Sequence, residues 1–256
     1  MRQLLLAAAL LVPAAAAAQD LVIGARTEPA VDPHFQWIAT NTAYSRHVFS
    51  SLVEVGADGK EIPGLATSWR TIDDTTWEFA LRPGVTFHDG RPFTAEDVVF
   101  TLNRVPNIPG NVSPYTTNIQ SIVRTEVLNP HLVRFHTDRP NPMIPAQLPQ
   151  VFIVSAEAAR NATPADFRSG RAAIGTGPYR FGSFTPAGSY VLTRADTYWG
   201  EKPHWRNVTF RIIPSDTARA AALLAGDVQA IDFVAPSDVA GLRRNPEIAV
   251  VGGRSN

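Results

Sequence analysis

"WEFALRPGVTFHDGRPFTAEDVVFTLNR", residues 77–104, reads as an unbroken piece of scaffold. Trp77, Phe79 and Leu81 recur at period two, the pattern of a strand with one face on a core. Pro83-Gly84 stops that strand, and Val85 and Phe87 resume the alternation. Asp89-Gly90 supplies a turn in which the chain reverses without steric cost. Thr94 then stands where its hydroxyl caps free amides, and Glu96 and Asp97 fall in the first turn, where the helix dipole favours carboxylates. Val98, Val99 and Leu102 form the inward stripe of a helix running to about Arg104. Strand, turn, strand, turn and capped helix leave hardly a residue for chemistry.

Upstream, Leu21–Gly24 reads as a short buried strand and residues 28–33 as an extended, proline-bent segment. Ala43, His47/Val48 and Ser51/Leu52 recur at helical spacing and predict a helix from about Thr42 to Leu52. Ala57–Lys60 is a hairpin turn that pairs Leu52–Val55 with Glu61-Ile62. Downstream, residues 105–170 are studded with proline and less legible, but Val127-Leu128 and His131–His136 read as strands joined at Asn129-Pro130. Further strands are expected at Tyr179–Phe184, Tyr190–Arg194, Val208–Ile213 and Val228–Val234, with a helix over Thr217–Ala225 capped by Asp216 and ended by Gly226. Strands with interspersed helices make an α/β protein with mixed sheets.

The first eighteen residues are set apart. Met1-Arg2-Gln3 is a short basic start, Leu4–Val12 an apolar run too short to span a bilayer, and Ala14–Ala18 offers a small-residue cleavage site: the signature of a secretory signal peptide. With no cysteine anywhere, no disulfide framework, no thiolate metal site and no lipid-modified anchor is expected. Lys+Arg 23 balance Asp+Glu 23, which gives no electrostatic footprint for nucleic acid or an anionic membrane.

Catalytic signatures are missing. Gly175-Thr176-Gly177 lacks the third glycine of a phosphate loop, where Arg180 stands, so a turn or a close backbone approach is expected there. There is no G-x-S-x-G and no G-x-x-x-x-G-K-[ST]. The six histidines (34, 47, 88, 131, 136 and 204) form no metal-binding spacing. Adjacent acids at Asp73-Asp74 and Glu96-Asp97 suit a turn and a helix start. No catalytic residue, no metal site and no cofactor is expected.

Taken as a set, the motifs resemble a known family. "GLATSWRTIDDTTWEFALRPGVTFHDGRPFTAEDVVFTLNR" (64–104) is similar to the signature region of the peptide/nickel class of substrate-binding proteins of bacterial ABC importers. "TEPAVDP" (27–33), "GTGPYRFGSF" (175–184) and "RADTYWGEKPHWRNVTFRIIPSDTARAAALLAGDVQAID" (194–232) resemble its other landmarks, in order. The resemblance implies a periplasmic-binding-protein-like two-lobe fold that closes over its ligand by hinge motion. Residues 19–52 and 171–235 would form the first lobe, 53–170 an inserted subdomain, and 236–256 the start of a second lobe that is largely missing, so the chain is expected to be truncated or a fragment.

The implied function is an extracytoplasmic solute receptor. It would act as a monomer in the periplasm, without a lipid anchor, and deliver a small ligand, most often a short peptide, to ABC transporter permease subunits in the inner membrane. Nickel complexes, opines, glutathione and oligosaccharides are ligands of relatives. The segment after the first strand would face the cleft: Trp37 stacking on a ligand side chain, Thr40 and Asn41 bonding a peptide backbone, and Glu28 upstream. Tyr179 and Phe233, near the lobe crossings, are further candidates. Against this stands the reading of Trp37 as core and of Thr40 and Asn41 as a helix cap. The competing functions are an exported hydrolase using the same cleft and a non-binding remnant acting only in protein interaction.

Overall fold

The computed structural model describes residues 20–108, 110–111 and 115–252; the expected leader, 1–18, lies outside the described residues. In chain order the strands and helices are β1 (Leu21–Ala25), α1 (Ala39–Val48), β2 (Val53–Val55), β3 (Glu61–Pro63), β4 (Ala66–Asp73), β5 (Thr76–Leu81), α2 (Ala95–Arg104), β6 (Ile122–Asn129), β7 (Leu132–Thr137), α3 (Ile144–Gln147), α4 (Ala156–Ala159), α5 (Pro164–Arg168), β8 (Tyr179–Thr185), β9 (Ser189–Arg194), β10 (Asn207–Ile212), α6 (Asp216–Leu224), β11 (Ala230–Ile231) and α7 (Pro236–Leu242).

They build two main sheets. One is mixed, in the order β11-β1-β10-β9-β8, with β11, β1 and β10 parallel and the rest antiparallel. The other is antiparallel, β4-β5-β7-β6. β2 and β3 form the expected small hairpin. Each main sheet has its own core. Phe79 and Phe135 pack with ring centroids 4.9 Å apart, against α2 residues Val98 and Leu102. Tyr44 from α1 meets Phe210 of β10 edge-on at 4.9 Å, with Tyr190 of β9 beside them. The mixed α/β architecture is therefore that expected from the alternation.

Several local expectations need correction. The α1 helix spans Ala39–Val48 rather than 42–52, because Phe49–Leu52 turn extended and bury themselves where the two cores meet. Thr40 and Asn41 thus sit inside its first turn and Ile38 is the N-cap, so they do not cap a helix starting at Thr42. The strand at Val85–Phe87 is reduced to one bridge, Thr86 to Pro92, although Val85 and Phe87 are both buried. β4 was not legible, because its side chains are mostly exposed on a sheet edge and carry little alternation. The N-cap of α6 is Ser215, whose Oγ accepts the Ala218 N–H at 3.3 Å, not Asp216. The last strand shortens from 228–234 to two residues. The α2 start matches the sequence: the Thr94 N–H donates to the Asp97 carboxylate at 2.9 Å.

The two sheets are joined at the motifs that stood apart in the sequence. The His88 N–H donates to Gly175 O at 2.9 Å, the Gly175 N–H to His88 Nδ1 at 3.3 Å, and His88 Nε2 to Gly177 O at 3.0 Å. The Gly177 N–H in turn donates to Val48 O, at the end of α1. A Cβ on Gly175 would overlap the Val48 carbonyl oxygen, and one on Gly177 would stand 2.6 Å from the Val48 carbonyl carbon. The glycines serve a close backbone approach.

Candidate functional site

In a sheet with parallel strands, ligands bind outside the carboxyl ends, where neighbouring connections diverge. Here β10 leads through α6 to β11, and β1 lies between them. Gly24 of β1 makes the crossing possible: a Cβ there would meet Ile231 Cγ2 at 3.1 Å and Arg219 Cγ at 3.2 Å. Beyond the carboxyl ends of β1 and β11 opens a hollow of about 890 Å³. Arg26, Thr27 and Thr40 line one side of it, Asp232 and Phe233 another, and Val239 and Arg243 of the α7 region a third.

Its rim is held from below by a buried cation. Arg219, fully buried on α6, donates from Nη1 to Ile213 O at 2.8 Å and from Nη2 to Phe233 O at 3.3 Å and Asp216 Oδ1 at 2.6 Å. Its Nε lies 3.7 Å from Asp232 Oδ1. One guanidinium thereby ties the ends of β10 and β11 to the start of α6, and charge-assisted bonds of this kind are the strong ones. The Asp232 carboxylate also accepts the Arg26 N–H, at 3.1 and 3.0 Å. Tyr44 donates to Thr27 O at 2.8 Å and pins the segment from the other side. Burial, and then the Asp232 charge, holds the Tyr44 phenol protonated well above its usual range.

A second buried cation anchors the loop between β1 and α1. Arg104, from the end of α2, donates to Asp32 Oδ1 at 2.9 Å and Oδ2 at 2.6 Å, and to His34 Nδ1 at 2.8 Å. His34 Nδ1 is then an acceptor, so Nε2 carries the proton and donates to Phe152 O at 2.6 Å. Burial and the Arg104 charge push the His34 pKa down to about 4, so the ring is neutral. Carboxylate, imidazole and guanidinium resemble catalytic parts, but every polar atom is spent inside the protein and His34 is fully buried. This is a clamp. It steadies a loop with Val31 and Gln36 in the left-handed region at φ 57° and 62°, each costing on the order of 1 kcal/mol or more.

The candidate residues separate accordingly. Thr40 and Phe233 reach the hollow, and Glu28 is exposed just beyond it on the same segment. Trp37 is half-buried against the antiparallel core. Its Nε1 donates to Gln150 Oε1 at 3.0 Å, and it lines a separate depression of about 480 Å³ with Thr42 and Arg46. Asn41 is buried and its amide is engaged: Oδ1 accepts the Ala30 N–H at 3.0 Å and Nδ2 donates to Gln36 O at 3.0 Å. Tyr179 is buried, donating to Trp205 O at 3.1 Å with its ring in the core of the mixed sheet. Sequence reasoning missed Arg26, Asp232, Arg219 and Arg243. The one available signal was Arg219, a lone charge in the apolar run "TARAAALLA". Among the described residues no three His, Asp or Glu side chains gather as metal ligands, and no helix is long and apolar enough to cross a membrane.

Comparison with known proteins gives one answer. Residues 60–256 match the bacterial extracellular solute-binding proteins, family 5 Middle. The chain is 31% identical over 187 residues to a nickel-binding periplasmic protein of Escherichia coli K12, covering 71% of this chain and 35% of that protein. It is 30% identical over 266 residues to the di/tripeptide-binding protein 1 of Pseudomonas aeruginosa, covering 90% and 48%. Among solved structures it resembles the periplasmic binding protein AgaA of A. tumefaciens R10 in complex with agropinic acid, with TM-score 0.79 and 27% identity over 89% of this chain and 46% of that one. A Helicobacter pylori protein, DppA, bound to a peptide shares the fold at TM-score 0.80 and 24% identity, covering 89% and 49%. The chain thus spans between about a third and a half of the length of these relatives.

Proposed function

The chain belongs to the family 5 bacterial extracellular solute-binding proteins, and from that membership we propose that it is the first part of a periplasmic receptor that binds a small solute, a short peptide above all, and presents it to an ABC transporter permease. The observation carrying this reading is the hollow at the carboxyl ends of β1 and β11, its rim fixed by the buried Arg219 guanidinium and open on one side. Relatives named for di- and tripeptides, dipeptides and nickel support a solute-binding role without catalysis. Residues 19–52 and 171–235 are proposed as the first lobe and 53–170 as the inserted subdomain, with the leader directing export.

Thr40 and Phe233 are proposed to touch the ligand, with Glu28 and Trp37 at the margins. Asn41 and Tyr179 hold the scaffold. A site open on one side buries only part of a ligand, so binding to this chain is weak. The test is a thermal-unfolding screen of the chain against dipeptides, tripeptides, nickel–histidine and an opine at millimolar concentration. A rise in Tm with one class, lost in Phe233→Ala, supports the reading; a flat response to every class counts against it.

A further inference from the structure

We propose that the hollow takes the carboxylate of its ligand between the guanidinium groups of Arg26 and Arg243. This deepens the reading of the hollow as the ligand site and rests on it. Among the described residues three charged side chains line the hollow: Arg26, Arg243 and Asp232. They are not equally free. The Asp232 carboxylate is already committed, accepting the Arg26 backbone N–H with both oxygens and lying 3.7 Å from the buried Arg219.

The two cations are different. The Arg26 guanidinium lies over the Phe233 ring, 4.9 Å from its centroid, with no hydrogen-bond or ion-pair partner among the described residues. Arg243 bonds only through its backbone, N–H to Val239 O at 3.0 Å, and its exposed guanidinium is likewise unpaired among the described residues. A guanidinium stays charged at any accessible pH and presents paired N–H donors that match a carboxylate. Stacking on Phe233 holds Arg26 in place, so less side-chain freedom is lost on binding. The hollow is also lined by Val234, Val239 and Val250, apolar surface beside the cations that strengthens attraction for an anion. With Asp232 engaged by the Arg26 backbone N–H and lying beside Arg219, and two guanidinium groups unpaired among the described residues, the hollow selects an anionic group: the C-terminus of a peptide, or the carboxylate of an amino-acid conjugate.

The experiment is an NMR titration of the chain with Ala-Ala-Ala, its N-acetyl form and its C-terminal amide. The expected result is that both acids shift the resonances of Arg26, Thr27 and Phe233, and that the amide binds at least about tenfold more weakly. Arg26→Gln and Arg243→Gln each bring the acids down to the level of the amide and leave the amide unchanged. Because neither guanidinium makes a hydrogen bond or ion pair among the described residues, and Arg26 makes only its contact with the Phe233 ring, both variants are expected to keep a Tm close to that of the wild type. Equal binding of acid and amide, with the acetyl form silent, would show that the hollow reads the ammonium group and overturn the proposal while leaving the ligand site standing. No shift at these residues with any of the three probes would overturn both.

Discussion

The antiparallel sheet and the mixed sheet solve opposite problems. In the first, β4 pairs with β5 and β6 with β7 across tight turns, and α2 closes the core from a neighbouring segment. In the second, β1 at residues 21–25 pairs with β10 at 207–212 and with β11 at 230–231. Loop closure must be met before such long-range pairing is rewarded. The antiparallel sheet is scaffold built from two local hairpins joined once, through β5 and β7, whereas the mixed sheet, whose strands come from both ends of the described chain, creates the open carboxyl edge where we propose that a ligand fits. Distant chain segments meet at that edge, and the buried Arg219 guanidinium ties them there, whereas the charged ties of the antiparallel sheet lie on its outer face.

The largest expected effect comes from breaking the clamp that joins the two regions. Arg104→Met leaves Asp32, fully buried, as an unpaired charge and is expected to cost about 3–5 kcal/mol. Urea unfolding followed by both tryptophan fluorescence and far-UV circular dichroism checks this. If the two regions are separate cores held by clamps, the variant's two transitions come apart. Coincident transitions at unchanged stability would show that the sheets form one core.

Acid attacks the same joins. His34 and His88 both have pKa values lowered to about 4, in each case chiefly by burial. A histidine whose folded pKa lies below its unfolded value of about 6.5 contributes stability in full above pH 6.5, and that stability is lost as pH falls from 6.5 towards 4. The loss is about 3 kcal/mol for His34 and less for the partly accessible His88. Stability measured between pH 7 and 4 should therefore fall steeply, and His88→Asn should flatten the slope. An unchanged slope would mean that His88 does not hold the glycine loop in its neutral form.

Arg219→Met tests the rim of the hollow alone. The Ile213, Pro214 and Phe233 carbonyls lose a donor, but Asp216 and Asp232 are each partly exposed, so the cost is expected near 2 kcal/mol. Heteronuclear NMR should place the disturbed resonances at 213–216 and 231–233, leaving β4–β7 unmoved.

Legibility followed the same division. The β5 strand, the Asp-Gly turn and the α2 helix were readable because period-two and helical stripes, turn residues and caps act within a few positions. The clamps were not, because nothing local tells that Asp32 meets Arg104 or that His88 meets the Gly175 loop. Arg26 and Asp232 were invisible for the same reason, since each is an ordinary residue at a strand end until the other is placed beside it. The α1 boundaries moved because tertiary burial of Phe49–Leu52 overrode a helical spacing that continued past Val48.

The smallest expected effect lies on the outer face of the antiparallel sheet. The register sets Arg70, Glu78, Arg134 and Glu126 in one row across all four strands, with charges alternating. Arg70 Nη2 reaches Glu78 Oε1 at 2.6 Å and Arg134 Nη2 reaches Glu78 Oε2 at 2.9 Å. Short as the first contact is, the Arg70 side chain is 71% exposed, and Glu78 keeps Arg134 when Arg70 is lost. Arg70→Gln is therefore expected to cost under about 1 kcal/mol in low salt and nothing measurable in 1 M salt. A cost as large as that of Arg104→Met, persisting in salt, would mean that the row fixes strand register as firmly as the Phe79–Phe135 core does. A small, salt-sensitive cost would leave the register to the buried face, where a one-residue slip would carry Phe79 out of the core.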